Sequence, residues 1–482
     1  MLTPNMKKPN VLLLWTDQQR ADSISALGGV PGLTPHFDRL VSASTVFENA
    51  YCAQPVCTPS RATVMSGLWP HQHGCVHNND RFPADRPTLA ERAPEGYQTG
   101  YFGKWHLGDE IIAQRGFTDW VSIEDAIYRP YYSKPEYLER RSDYHTFLVE
   151  NGYEPDGTSK DGARVFSRPF AANLPEPFTK SHFLAATLEE RCRTVDQSRP
   201  FFWSVNMFEP HTPFTGPHND LLDPESLPVG DAFAVPPAPD HSERNRRKAE
   251  VIAAKKFEGM EAQTAADFRR IRVRYWGLVK LVDNALGRML NALESNGLLD
   301  NTIIVFCSDH GEMAGDHALL TKSVMYNEAT RVPLMIRLPG GAGQRIAAPA
   351  SLIDVAPTLI DAMGLPPDPA LPGQSLLPVA QGATYEPRDV VVEWCSRGQG
   401  AEHAELAADR RVATQQWRSL VAPDGWKLNR SDDDTPELFN LNDDPCELVN
   451  RAGDADCRDR IEAMTVRLRA WQQHHQDTCQ LK

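Results

Sequence analysis

The chain has 482 residues, 24% of them charged and 41% hydrophobic, as in an ordinary globular protein long enough for one large domain and a smaller one. Its formal charge of −14 excludes a general binder of nucleic acid or acidic membrane, since both need basic surface, but leaves room for a local basic pocket. Nine cysteines, an odd number without framework spacing, read as reduced thiols in a cytoplasmic protein.

At the start, "MLTPNMKKPNVLLLW" has an apolar run only from Val11 to Trp15. That is too short for a secretory leader, and no later stretch approaches the length of a membrane span. Val11–Trp15 instead reads as a strand buried on both faces, leading into Thr16-Asp17-Gln18. Next comes "CAQPVCTPSRATVMSGLWPHQHG", with histidines at 71 and 73 behind the second cysteine. The run "PSRATVMSGL" is predicted helical, with Pro59 near its first turn and Cys57 at its N-terminus. Backbone N–H groups and the helix dipole favour an anion there, and Arg61, about one turn in, points at the same spot. The plain alternative for Cys57 is a buried thiol. Lys104 and His106 alternate within "GYFGKWHLG" and so share a face if extended, although taken alone such residues are more often surface groups.

Residues 121 to 180 have poor periodicity and read as an insertion. "FFWSVNMF" (Phe201–Phe208) is a second buried strand, ending in Glu209-Pro210-His211. Residues 216 to 270 read as a second insertion, proline-rich at first and then charged and helical. Tyr275, Leu278, Val282, Leu286, Met289 and Leu293 recur at helical spacing up to a stop at Asn296-Gly297. "IIVFC" (Ile303–Cys307) is a third buried strand, ending in Ser308-Asp309-His310-Gly311, and Val332–Gly341 a fourth. After the proline-rich segment Pro366–Pro378, strands are predicted over 389–394, 411–423 and 425–430, and a last helix over Arg458–Gln473. The order indicates an α/β fold. A large, mostly parallel sheet flanked by helices occupies residues 1–380, with the insertions at its active edge. A smaller α+β subdomain with an antiparallel sheet occupies 381–482.

Open α/β sheets bind ligands beyond the carboxyl ends of their strands, so the three polar endings predict one shared site. Singly, Asp17 is as often a helix cap and His211 a structural loop residue. Asp309 and His310 make a better case, because a carboxylate beside an imidazole at a buried strand end is half a divalent-cation site. Oxygen-rich ligation favours calcium, magnesium or manganese over zinc.

With these residues in view, the chain resembles the type I sulfatases of the alkaline-phosphatase-like superfamily. The resemblance rests on "CTPSRA" (57–62) with "SGLWPHQHG" and covers nearly the whole chain. It runs through "PNVLLLWTDQQRAD", "GYFGKWHLG", "EPHTPF", "SDHGEMAGDHALLTK" and "ELFNLNDDPCELVN". It implies that a maturation enzyme converts Cys57 to formylglycine. It also implies that Asp17, Gln18, Asp309, His310 and the modified residue 57 hold one divalent ion, calcium first, with manganese and magnesium as alternatives. Arg61, Lys104, His106, His211 and Lys322 match the basic ring around formylglycine and sulfate. In that chemistry one hydroxyl of the hydrated aldehyde attacks sulfur as the alcohol leaves, and collapse of the other expels sulfate. His211 is assigned to the leaving oxygen and His106 to the formylglycine, an assignment that the sequence also allows in reverse. Many sulfatases carry two acids where this chain has Asp17-Gln18, a pair also found in phosphonate monoester hydrolases and choline sulfatases. The implied function is hydrolysis of a small-molecule or saccharide sulfate ester. The alternatives are a phosphonate monoester or phosphodiester hydrolase and an unmodified protein that binds sulfated ligands. A homo-oligomer is left open.

Overall fold

The computed structural model describes residues 8–396, Leu406 and 409–482; the first seven residues of the stretch read above for a leader lie outside them. In chain order, the main elements are β1 (Asn10–Thr16), β2 (Thr45–Phe47), α1 (Cys57–Ser66), β3 (Gln98–Gly103), β4 (Asp119–Val121) and α2 (Lys180–Thr194). There follow β5 (Phe201–Met207), α3 (Glu243–Ala253), α4 (Ala265–Ser295), β6 (Thr302–Ser308), β7 (Leu334–Arg337) and β8 (Gln344–Ile346). Beyond them lie β9 (Val390–Trp394), β10 (Trp417–Val421), β11 (Trp426–Ser431), β12 (Glu437–Asn440) and α5 (Arg458–His475).

Strands β1 to β8 form one eight-stranded sheet in the order β8-β2-β7-β6-β1-β5-β3-β4, with only β7 running against its neighbours. β1 is buried on both faces, as its unbroken apolar run predicts. Val11, Leu13 and Trp15 pack with Ala62, Val64 and Met65 of α1 on one side. Leu12 and Leu14 pack with Leu184 of α2 and with Val282, Leu286, Met289 and Leu293 of α4 on the other. Each such aliphatic side chain contributes roughly 1.5–3 kcal/mol on burial. The predicted stripe of α4 changes partner along its length: Tyr275 and Leu278 belong to a separate cluster beneath the loop that carries Lys322.

Register sets the site. Thr16 lies opposite both Met207 and Ser308, and Gly103 opposite Asn206. β1, β3, β5 and β6 are parallel and end level, so Asp17, Lys104, Phe208 and Asp309 leave the same edge.

β9 to β12 form a four-stranded antiparallel sheet. One face carries Met464 and Leu468 of α5. The other packs Val392, Trp394 and Trp417 on Tyr51, Val56 and Met325, immediately before Cys57. Two sequence expectations need correction. The stretch 411–423 is not one strand: Asp409 caps a short helix, Arg410–Thr414, by accepting the Val412 N–H at 3.2 Å, and β10 begins only at Trp417. Within 332–341, Pro333 separates the two-residue strand Arg331–Val332 from β7, since proline cannot donate to the ladder. The fourth strand, β12, has four residues, too few to show an alternation. Among the described residues no helix is long and apolar enough to cross a membrane.

Candidate active site

α1 begins at Cys57, with Val56 extended before it and Gly67 closing it in the left-handed conformation. Cys57 therefore projects at the helix N-terminus, toward the ends of β1 and β6. Its Sγ lies 3.6 Å from Asp17 Oδ1 and 3.1 Å from His310 Nε2. His310 Nε2 is in turn 3.8 Å from Asp17 Oδ1 and 3.6 Å from Asp309 Oδ1. One donor atom from each of Asp17, Cys57, Asp309 and His310 falls within 4.8 Å of all the others, and all four residues are buried.

This donor set fits a divalent cation on its own chemistry. His310 Nδ1 lies 2.9 Å from the Gly311 carbonyl, to which its N–H donates. The Nε2 lone pair is then directed at the cluster, the arrangement by which an outer hydrogen bond fixes a ligand imidazole. Two carboxylates, an imidazole and residue 57 make an oxygen-rich set suited to a hard ion. Close packing holds the set in place. A Cβ at Gly311 would meet the Glu328 carbonyl at 1.9 Å, and one at Gly103, where φ is +119°, would meet the Asn206 carbonyl at 2.0 Å.

Arg61 is fully buried behind the carboxylates. Its Nε lies 3.0 Å from Asp309 Oδ2 and its Nη2 3.0 Å from Asp17 Oδ2. Its Nη1 donates to the Lys104 carbonyl at 2.8 Å and to Asn206 Oδ1 at 3.0 Å. All three nitrogens are engaged, two of them on the Asp17 and Asp309 carboxylates, and the guanidinium lies over the Trp15 ring. Lys104 Nζ is 2.5 Å from Asp17 Oδ2. Lys322 Nζ donates to Gln18 Oε1, while Gln18 Nε2 donates to Glu312 Oε2 at 2.5 Å. Gln18 has φ +70°, a strained value for a side chain of its kind. It is held by its N–H on Asp309 Oδ1 and by the Tyr275 hydroxyl on its carbonyl.

His106 and His211 complete the ring. His106 Nε2 is 3.1 Å from Asn79 Oδ1, and its buried Nδ1 has no hydrogen-bond partner among the described residues. His211 Nδ1 lies 2.6 Å from the Thr212 carbonyl, leaving Nε2 for the site. Burial, with Lys104 and Arg61, pushes His106 well below the usual histidine range. Burial and Lys322 do the same for His211. Burial alone would raise the Asp17 carboxyl, yet Lys104, His211 and Arg61 together hold it far below the ordinary value. Burial and Asp17 oppose ionisation of Cys57, but Lys104, Lys322 and His310 outweigh them and lower its thiol.

The structure thus brings Asp17, Gln18, Cys57, Arg61, Lys104, His106, His211, Asp309, His310 and Lys322 to one place. The histidines at 71 and 73 lie elsewhere. His73 is buried against Thr63 and pushed down to about 3, chiefly by burial. His71 holds the C-terminal subdomain, with Nδ1 2.7 Å from Glu393 Oε1 and Nε2 2.9 Å from the His475 carbonyl. Sequence reasoning missed Asn206, Glu110 and Glu312. Glu110 accepts the N–H groups of Trp105 (3.0 Å) and His106 (2.5 Å), which shapes the turn carrying Lys104. Glu312 accepts from Gln18, Ala314 and Thr321. Its place two residues after His310 was the available signal.

A family model described as "Sulfatase" matches residues 9–365, and one for the C-terminal part of N-sulphoglucosamine sulphohydrolase matches 315–474. The chain is 30% identical to a choline-sulfatase of Rhizobium meliloti over 92% of its length and 82% of that protein. It is 26% identical to an N-acetylglucosamine-6-O-sulfatase of Bacteroides thetaiotaomicron, over 98% of this chain and 87% of the other. Among solved structures, a phosphonate monoester hydrolase of Agrobacterium radiobacter superposes with a TM-score of 0.75 at 27% identity, covering 97% of this chain and 96% of that one. The chain belongs to the sulfatase family and is a sulfuric ester hydrolase with the alkaline-phosphatase fold.

Proposed function

We propose that the enzyme hydrolyses a saccharide sulfate or a small aryl or alkyl sulfate, with Cys57 matured to formylglycine by a separate modifying enzyme. We place the ion, calcium by its oxygen-rich donors, among Asp17, Gln18, Asp309, His310 and residue 57. The observation that carries this reading is Cys57 Sγ at a helix N-terminus, 3.6 Å from Asp17 and 3.1 Å from His310, inside a ring of basic groups. When present, the modified residue supplies the nucleophilic oxygen and the cation takes up oxygen charge.

The chain's own groups do the rest. Lys104 and Lys322 face the spot from two sides and hold the sulfuryl oxygens, where fixed cations in a dry site act strongly. His106, kept neutral by its surroundings, is the base beside residue 57. His211, with Nδ1 committed to the Thr212 carbonyl, holds a proton at Nε2 for the leaving oxygen. Burial and Lys322 disfavour that protonated form, and the negative charge of a bound ester opposes them and favours it. Choline-sulfatase and N-acetylglucosamine-6-O-sulfatase relatives support small-alkyl and saccharide esters as substrate classes. No disulfide joins the cysteines among the described residues, in keeping with the cytoplasmic setting proposed here.

A phosphonate monoester or phosphodiester reading is the second one, favoured by the likeness to the Agrobacterium enzyme and by the Asp17-Gln18 pair. Rates measured in parallel on sulfate monoester, phosphonate monoester and phosphodiester substrates with matched leaving groups separate the two. A preference for either phosphorus class would overturn the sulfate reading.

A further inference from the structure

Two aromatic rings flank the active-site imidazoles. Phe208 packs on His211 with centroids 4.9 Å apart, and Tyr128 on His106 at 4.5 Å. Both rings also carry a cation from the 121–180 insertion. The Arg168 guanidinium carbon lies 4.8 Å from the Phe208 centroid and 5.6 Å from that of Tyr128. Arg168 is thus one ring beyond each imidazole, and its charge helps to depress both.

Arg168 is fixed along one edge only. Its Nε and Nη2 lie 3.0 and 2.8 Å from Glu124 Oε2, and Nη2 also donates to Tyr128 Oη at 3.1 Å. Its Nη1 makes no hydrogen bond among the described residues, and the side chain keeps 16% exposure. Arg61, by contrast, uses all three of its nitrogens. Glu124 is also bonded by Lys180, whose ammonium is pushed down to about 7 by burial, so one carboxylate serves both basic groups. The other acid near Lys180, Glu209, has its carboxyl raised by burial and accepts the Ser181 hydroxyl at 2.5 Å. A pre-oriented guanidinium with a free donor edge, one aromatic ring from the group assigned to the leaving oxygen, is built to receive an oxyanion.

We propose that Arg168 recognises the leaving alcohol, and that the preferred substrate carries a second anionic group there, a carboxylate or another sulfate. The inference rests on the reading of His211 above. A neutral hydroxyl accepts one hydrogen bond without compensating the charge, whereas an oxyanion does both.

The test uses sulfate esters in pairs, one member with a carboxylate or second sulfate on the alcohol and the other with the neutral amide or hydroxyl. Wild-type enzyme should favour the anionic member by on the order of tenfold or more in kcat/KM, mostly through KM. Arg168→Gln should collapse that ratio, and Arg168→Lys, which keeps the charge and a bond to Glu124, should retain part of it. Calorimetric binding of the matching desulfated alcohols reads the same preference without turnover. Equal wild-type handling of both members, or a ratio unchanged in Arg168→Gln, overturns the proposal. Selective binding of the anionic alcohol by a protein that turns over neither ester would support the subsite and sink the sulfatase assignment instead.

Discussion

Replacing His211 with alanine is expected to slow sulfate esters in proportion to how poorly their alcohols leave. With Nδ1 donating to Thr212, only Nε2 is free to carry a proton to the leaving oxygen. General acid catalysis is typically worth 10²–10⁴-fold, so an alkyl or saccharide sulfate should lose about a hundredfold or more in kcat, roughly 3 kcal/mol of barrier. A 4-nitrophenyl ester scarcely needs protonation and should lose no more than about tenfold. The ring is nearly buried and packs on Phe208, so alanine also costs about 1–3 kcal/mol of stability. His211→Gln, which refills much of that space, separates the two effects: its melting temperature should recover while the leaving-group dependence stays steep. The assay is a series of initial rates plotted against leaving-group pKa, where both variants should give steeper lines than wild type. Parallel lines would refute proton transfer by His211 and leave it a sulfate-positioning group.

Peptide mass spectrometry across residues 57–61 should find formylglycine at position 57 in active protein, and activity should scale with the converted fraction; robust turnover from protein holding only cysteine would sink the mechanism. Chelation should abolish activity, and Asp309→Ala should lose the ion while remaining folded, as read by elemental analysis and thermal melting; active dialysed enzyme without a divalent ion would disprove the metal assignment. His71 should make stability fall with rising pH. Burial opposes its protonation, but the hydrogen bond and charge of Glu393 raise its pKa above the ordinary value. The stabilisation is therefore complete below the unfolded pKa of about 6.5 and is lost as pH rises through the higher folded value. His71→Asn should cost about 1–3 kcal/mol of stability, with the largest drop in melting temperature at acidic pH, and a gap that does not change with pH would contradict the charged state.

The strand ends were legible because three of them follow the same rule. Val11–Trp15, Phe201–Phe208 and Ile303–Cys307 are nearly continuous apolar runs, and the parallel register that aligns Thr16 with Met207 and Ser308 brings their polar endings level. Asn206 was hidden inside one of those runs, where an amide looks like a tolerated exception until Arg61 is seen to bond it. Lys322 had no local signal at all. It sits between Thr321 and Ser323, both at positive φ, and its partner Gln18 is 304 positions away in the chain. Arg168 was unreadable for a similar reason, since the insertion that carries it has no periodicity from which to infer what its side chains face. Groups fixed by the sheet could be read from strand pattern, whereas those supplied by loops depend on contacts that no local pattern encodes.

Gln18 shows how a departure in sequence becomes intelligible only through such contacts. As a sequence feature, an amide in place of a second acid merely lowers the negative charge near the ion. In the structure it stands between Lys322 and the buried Glu312, accepting from the first through Oε1 and donating to the second through Nε2. An ionised carboxylate has no hydrogen to donate, so at this position it would face Glu312 as a second, repelling charge in a site without water-like screening. Glu312 also accepts the N–H of Thr321, the residue immediately before Lys322. The amide therefore links the turn after β1 to the loop that presents Lys322, and an acid could make only half of that link. Position 18 and position 312 form one unit, and the neutral member is the one that lets the unit close.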